Sequence, residues 1–229
     1  MISDPLVQVL LVTYNQGPHL QKAIDSVLAQ TYTNWRLLIM DDGSTDRTAA
    51  VLCGLDGYED PRVEVLQHHP TVEDRQLSVR YATLFNNGVA RTDSDYVTFL
   101  CGDDYYMPDR LERMVKATQF CDVVYGAQRM AWPGTERADE IRPTQGVLSN
   151  AYHLVDLNSV MVSRNAFEQV DGFPTEPTTQ NWREADALLW CRLTTAGYYF
   201  YPVPGGPTDC KVYRNNSVDA RLTRGETPW

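Results

Sequence analysis

The stretch LVQVLLVTYNQGPHLQKAIDSVLAQTYTNWRLLIMDDGSTD, residues 6–46, decides the fold because it places a helical pattern between two apolar runs. The first run covers residues 6–14, and the second begins at Trp35 and ends in two acids and a turn. Nearly continuous apolar runs are typical of strands that are covered on both faces. Apolar residues recur at helical spacing between them, so the stretch predicts a strand, a helix and a second strand.

The same alternation continues along the first half of the chain. Residues 62–69 and 95–104 predict two further strands, and residues 77–90 predict a helix between them. Repeated strand and helix units form right-handed crossovers in a mostly parallel sheet. We therefore expect a Rossmann-like α/β fold, in which ligands bind at the carboxyl ends of the strands.

The second half is less regular, and its composition marks no independent domain. Residues 129–143 are rich in proline, glycine and charge, which favours an exposed loop or hairpin. The remaining patterns predict strands at 158–164, 198–204 and 210–214 and helices at 165–170 and 183–197. We expect one domain over residues 1–229, with a regular half up to residue 104 and a half of smaller, mixed structure after it.

Composition and charge exclude several classes of function. The net charge of −10 weighs against a nucleic-acid partner, since that affinity comes from Lys and Arg. No apolar run reaches the roughly 20 residues of a membrane span. The amino-terminus has no basic region before its apolar run, which argues against a signal peptide. Five cysteines without a CxxC pair favour reduced thiols, and hence a cytoplasmic location.

Polar groups follow three of the predicted strands, at residues 13–15, 41–44 and 102–104. The chain has no G-x-G-x-x-G, no P-loop and no G-x-S-x-G, which removes the simplest dehydrogenase, NTPase and hydrolase readings. Asp103 and Asp104 are adjacent carboxylates, and burying both is costly without compensation. They either solvate the strand end and begin a helix, or they hold a divalent cation such as Mg²⁺ or Mn²⁺.

Four motifs in order carry a resemblance to a known family. They are VTYNQGPHLQKAIDSVLAQTYTNWRLLIMDDGSTDRT, GDDYYMPDRL, DGF and READALLWCRL. Together they resemble the family-two glycosyltransferases of GT-A fold, and among these the spore-coat polysaccharide glycosyltransferase. The likeness covers most of the chain and weakens after about residue 200, and the ordered set is more specific than any one motif.

The resemblance implies a nucleotide-binding half over residues 1–104, with the nucleotide site at the first two strand ends, and an acceptor-binding half over residues 105–229. Tyr14 would stack on the pyrimidine base of the donor, with Val12 and Thr13 lining that pocket. Asp42 would accept from the ring N–H of the base, supported by Asp41. From the residues alone, Tyr14 could equally be plain core packing after a strand.

The resemblance also implies the remaining roles. Arg75 would reach the base or the phosphates, and Gly102 and Asp103 occupy the family's D-x-D motif, with Asp103 the metal ligand. Asp186 would be the catalytic base, and Asp156 would lie near the acceptor. Asp186 could instead be an ordinary acid of a helix first turn.

The chain departs from the family at two positions. Cys101 stands where the first acid of the D-x-D belongs, and it is a poor ligand for a hard cation. Ala185 stands where an acid usually precedes the catalytic base. Glu184 is one residue earlier, which on a helix turns its side chain by about 100° from the direction of position 185. We place Glu184 and Trp182 on the acceptor side. Trp182 could form the base of a sugar-binding site, or it could pack in the core.

The implied activity is an inverting, metal-dependent transfer of a sugar from a UDP- or dTDP-sugar to a hydroxyl acceptor, in polysaccharide or glycoconjugate synthesis. Mn²⁺ or Mg²⁺ is the expected cofactor. The alternative is a non-catalytic subunit that binds a nucleotide sugar, which Cys101 and Ala185 leave open.

Overall fold

Four parallel strands build the amino-terminal half of the sheet in the computed structural model, which describes residues 4–55, 60–213 and 224–225. Helices connect them in the predicted alternation. The elements of this half are β1 (Val7–Thr13), α1 (Gly17–Leu28), β2 (Trp35–Asp41), α2 (Thr48–Leu55), β3 (Val63–Gln67), α3 (Val72–Leu77), α4 (Arg80–Ala90) and β4 (Tyr96–Cys101).

The carboxyl-terminal half adds antiparallel and mixed pairings to the same sheet. Its elements are β5 (Tyr105–Tyr106), α5 (Arg110–Thr118), β6 (Val123–Ala131), β7 (Glu140–Arg142), a 3₁₀ turn (Leu157–Ser159), β8 (Val160–Ser163), α6 (Arg164–Gln169), α7 (Thr179–Thr195) and β9 (Phe200–Val212). The strand order is β3-β2-β1-β4-β8-β6-β9-β5, and β7 pairs with β6. No helix within the described part of the chain is long and apolar enough to cross a bilayer.

The register of the parallel strands brings the predicted strand ends together. Thr13 lies opposite Asp41, and Val12 lies opposite Cys101. The backbone N–H of Asp42 donates to the Thr13 carbonyl at 2.9 Å. The polar residues that follow β1, β2 and β4 therefore share one edge of the sheet, where ligands bind in folds of this kind.

The core consists of two apolar layers, one on each face of the sheet. Leu10 and Val12 of β1 point into the layer that contains Phe99, while Val9 and Leu11 point into the opposite layer. Successive side chains of a strand face opposite sides, so a strand covered on both faces must be apolar throughout. This arrangement explains the continuous apolar run with which the chain begins.

The structure confirms the four amino-terminal strands. It also places residues 129–143 in a hairpin between the end of β6 and β7. Other expectations were wrong in extent. The two strands predicted at 198–204 and 210–214 form a single strand, β9, whose register against β6 shifts around Gly205. The predicted end of the second strand, Arg214, lies outside the described residues. The predicted helix at 183–197 begins earlier, where the Thr178 hydroxyl accepts from the backbone N–H of Asn181 at 3.0 Å.

Candidate active site

The end of β4 approaches the end of β1 so closely that only glycine fits at position 102. The Gly102 backbone N–H donates to the Val12 carbonyl at 2.9 Å. A Cβ atom at this position would lie 2.6 Å from the Gln16 side-chain oxygen and 2.8 Å from the Thr13 hydroxyl. Gly102 therefore supports the turn that carries Asp103, and its contact with a nucleotide stays a prediction.

A buried ion-pair cluster follows β2. Asp42 receives hydrogen bonds from Arg75 Nη1 at 2.7 Å and from Arg80 Nη2 at 2.7 Å, on different carboxylate oxygens. Arg75 also donates to the Asp42 carbonyl, and its guanidinium lies 4.1 Å from the centre of the Tyr14 ring. Arg75 is only 8 % exposed, so it is not the solvated charge that its sequence context alone would suggest.

This cluster brings together the residues that were predicted to bind the base. A carboxylate can accept about four hydrogen bonds, so Asp42 keeps acceptor capacity beside its two arginines. Val12 and Thr13 are buried beneath it. Asp41 instead accepts from the Ser44 backbone N–H at 3.2 Å and fixes the turn after β2, and burial raises its pKa. The contacts of these residues with a nucleotide stay a prediction.

The turn after β4 holds its two acids in different ways. Asp104 is buried, and its oxygens accept from Asn158 Nδ2 at 2.7 Å and from the Val212 backbone N–H at 2.6 Å. Burial and the neighbouring Asp103 raise the pKa of Asp104 well above its usual value. Asp104 is thus a structural residue of the turn. Asp103 is half-buried, and both acids line a cavity of about 320 Å³.

The residues of this turn fit a divalent cation in part. Cys101, Asp103 and Asp104 each place one potential ligand atom within 4.8 Å of the others. Burial raises the pKa of the Cys101 thiol well above its usual value, so the soft thiolate is not available at neutral pH. Asp104 is committed to Asn158 and Val212. This donor set fits a hard cation held mainly through Asp103, with other oxygens completing its shell.

Asp156 lies in a buried polar network on the other side of the turn. Its carboxylate accepts from Gln128 Nε2 at 3.0 Å and from the ammonium of Lys211. Burial alone would raise the pKa of Asp156, but the charge and hydrogen bond of Lys211, with that of Gln128, bring it below the usual value. Asp156 is therefore a fixed negative charge, paired with Lys211.

Asp186 lies on α7 and has the electrostatic character of a general base. Burial raises its pKa to about 6, the negative charge of Asp156 adds to that effect, and Lys211 opposes it. The Asp186 carboxylate accepts from the Ala187 backbone N–H at 2.8 Å and is half-buried. A carboxylate with a pKa near the working pH can accept a proton in the transition state and still be ionised beforehand.

The two other residues predicted for the acceptor side have structural contacts. Glu184 breaks the helical backbone of α7, with φ −132° and ψ 16°, and it accepts from the Tyr152 hydroxyl at 2.6 Å. His153 lies 3.6 Å from the same carboxylate. Trp182 is only 8 % exposed and packs in the core, as the alternative reading held. Direct contact of Glu184 or Trp182 with an acceptor stays a prediction.

Sequence reasoning missed Arg80, Gln128, Asn158 and Lys211, which hold the acids of the site in place. These residues come from four distant elements that only the folded sheet brings together. Gln128 and Lys211 do occur inside apolar strand patterns, and a polar residue at a buried strand position signals a polar network. Asn158 and Arg80 carry no comparable signal.

Comparison with known proteins identifies relatives along most of the chain. A family model described as Glycosyl transferase family 2 matches residues 8–218. Protein CgeD of Bacillus subtilis is 35 % identical over 82 % of this chain but only 46 % of CgeD. TuaG of the same organism, named as a proposed teichuronic acid biosynthesis glycosyltransferase, is 29 % identical over 94 % of this chain and 82 % of TuaG. The chain thus spans less than half of CgeD.

The fold is also that of a solved structure. The crystal structure of residues 1–349 of S. aureus TarS in complex with UDP-GlcNAc matches with a TM-score of 0.70 and 14 % sequence identity. The match covers 91 % of this chain and 59 % of that one. It shows a shared GT-A fold, with a mostly parallel central sheet between helices.

Proposed function

Because the chain belongs to glycosyl transferase family 2, we propose that it transfers a sugar from a UDP- or dTDP-sugar to a hydroxyl acceptor with inversion at the anomeric carbon. The observation that carries this proposal is Asp186, a half-buried carboxylate with a pKa of about 6 beside the charged pair of Asp156 and Lys211. Inverting transfer needs one such base and no covalent enzyme intermediate.

Each part of the site has a task in this reaction. Tyr14 and Asp42 receive the base of the donor. The Arg75 guanidinium lies over the Tyr14 ring, so it either leaves that face when the base stacks there or stays in contact with the ring beside the base. Asp103 would hold Mn²⁺ or Mg²⁺ together with the donor diphosphate, and a cation there would offset the negative charge of the leaving nucleotide. The weak donor set at Cys101 and Asp104 implies that the cation binds far better with the nucleotide than without it.

Asp186 then acts on the acceptor. Its carboxylate takes the hydroxyl proton as the acceptor oxygen attacks the anomeric carbon on the face opposite the diphosphate. The new glycosidic C–O bond forms while the bond from that carbon to the diphosphate oxygen breaks, and the proton remains on Asp186. Proton acceptance by a positioned carboxylate contributes roughly 10²–10⁴-fold to such a step.

Two comparisons support the substrate class. TarS was crystallised with UDP-GlcNAc and shares the fold, which supports a uridine nucleotide sugar as the donor. TuaG carries teichuronic acid biosynthesis in its name, which supports a polysaccharide acceptor. Neither identifies the sugar that this chain transfers.

A thermal-shift panel tests the proposal. UDP, dTDP and GDP are each added with and without Mn²⁺, and the unfolding temperature is recorded. A ligand at one hundred times its dissociation constant stabilises by about 2.7 kcal/mol, which is about 5–10 °C for a chain of this size. We expect a shift with UDP or dTDP that grows with Mn²⁺. Shifts with GDP alone, or none at all, would refute the donor assignment, and binding without transfer to any acceptor would favour the non-catalytic alternative.

A further inference from the structure

Asn158 occupies the junction between the two halves of the site. It is 1 % exposed and stands at the centre of the 3₁₀ turn before β8. Its side-chain oxygen accepts from the Cys101 backbone N–H at 2.9 Å. Its side-chain nitrogen donates to Asp104 at 2.7 Å and to Asp156 at 3.2 Å. One amide therefore contacts both the donor-side turn and the acceptor-side acid.

The backbone of Asn158 is held as firmly as its side chain. Its N–H donates to Asp156 at 3.2 Å, and its carbonyl accepts from the buried guanidinium of Arg110. Arg110 is fully buried and donates also to Thr98 at 2.9 Å, within β4. Asn158 thus cannot move without breaking contacts to the strand that precedes the metal-side turn.

Only an amide satisfies all of these partners. Cys101 presents a donor, while Asp104 and Asp156 present carboxylate acceptors, so the central side chain must accept once and donate twice. Asparagine offers one carbonyl oxygen and two N–H donors on the same plane. A carboxylate here would direct an acceptor at two other carboxylates, and an apolar side chain would leave buried groups without a partner.

We propose that Asn158 is a positioning residue that fixes the metal-side turn, residues 101–104, relative to the acceptor-side Asp156. This inference rests on the proposed function, because it assigns Asn158 to the placement of Asp103 for the nucleotide and its cation. In this role Asn158 acts through the turn and not by contact with substrate or cation. When the Asn158 side chain is removed, the turn is no longer fixed, and the cation increases nucleotide affinity by a smaller factor.

Calorimetric titration of UDP, with and without Mn²⁺, tests the inference. The measured quantity is the ratio of the two dissociation constants, which reports the contribution of the cation to nucleotide affinity. In Asn158→Ala we expect this ratio to fall by at least about tenfold, as for other losses of support to a metal ligand. Affinity for UDP alone stays within about twofold, because Tyr14 and Asp42 belong to a separate cluster.

Two further variants keep the result decisive. Asn158→Asp has the same shape, so it tests the hydrogen bonds without opening a cavity, and we expect the same loss. Asn86→Ala is the matched control, because Asn86 bonds the Phe173 backbone twice at 2.9 Å away from the turn. Thermal unfolding checks that each variant is folded.

The outcomes separate the two proposals. A wild-type protein that binds neither UDP nor dTDP in either condition overturns the proposed function, and with it this inference. A wild-type protein that shows the Mn²⁺ benefit, together with folded Asn158 variants that retain it within about twofold, overturns the inference alone. An equal loss in Asn86→Ala also overturns it, since the effect would then follow general destabilisation.

Discussion

Replacing Asp186 with asparagine should abolish transfer and stabilise the protein above neutral pH. The pKa of Asp186 is raised from 3.8 to about 6, first by burial and then by the charge of Asp156. A carboxyl group with a raised pKa contributes stability below its unfolded pKa, and that contribution is lost as the pH rises through the folded value. At pH 8 the folded wild type therefore carries the full cost of an ionised, half-buried carboxylate.

The magnitude follows from the size of the shift. A shift of about two units corresponds to about 3 kcal/mol, at about 1.4 kcal/mol for each unit. Asp186 is half-buried, so water screens part of this cost, and we take about 1.5 kcal/mol as the expected gain. For a chain of this length the gain raises the unfolding temperature by about 3–6 °C. About half of it disappears at about pH 5, where the folded wild type is largely protonated.

The assay is thermal unfolding of the wild type and Asp186→Asn at about pH 8 and pH 5, with nucleotide release measured in parallel. Asp25→Asn is the control, since Asp25 is exposed on α1 and accepts from Gln21 at 2.8 Å. It should leave the pH dependence of unfolding unchanged. A lower unfolding temperature for Asp186→Asn at the higher pH, an equal difference at both pH values, or full transfer would each refute the reasoning.

Three further predictions concern the same site. Asp103→Ala should remove the Mn²⁺ benefit to UDP binding in calorimetry while UDP alone still binds; an unchanged benefit would exclude Asp103 as the ligand. Lys211→Met removes the cation that lowers the pKa of Asp186, so the acid limb of kcat/KM should move to higher pH, whereas Lys211→Arg should leave it in place. Gly102→Ala forces a Cβ to within 2.9 Å of the Thr13 Cβ, which is fixed on β1, and we expect a loss of about 1–3 kcal/mol in urea unfolding.

The family and the parallel half of the sheet could be predicted from sequence because their signals are local. Continuous apolar runs report strands covered on both faces, and the ordered motifs around Tyr14, Asp42 and Asp186 identified the family, which the match over residues 8–218 confirms. Strand ends in parallel order also meet at one edge by topology alone. The structure adds the register, which places Thr13 opposite Asp41 and Val12 opposite Cys101.

The partners of the acids could not be predicted, because they depend on contacts between distant elements. The ion pair between Arg75 and Asp42 joins residues 33 positions apart, and the predicted contact of Arg75 with the donor stays a prediction. The pairing of Lys211 with Asp156 joins residues 55 positions apart. The kink at Glu184 was also hidden, since READALLWCRL has an uninterrupted helical pattern, and the contact with Tyr152 arises only in the fold.

The anomeric configuration of the product tests the central claim most directly. Wild type and Asp186→Asn are incubated with Mn²⁺, a panel of UDP- and dTDP-sugars and short oligosaccharide acceptors, and the product is examined by proton NMR. The account predicts a glycoside of inverted configuration from the wild type and none from Asp186→Asn, whose nucleotide binding remains intact. A product of retained configuration, or equal transfer by the variant, would contradict it.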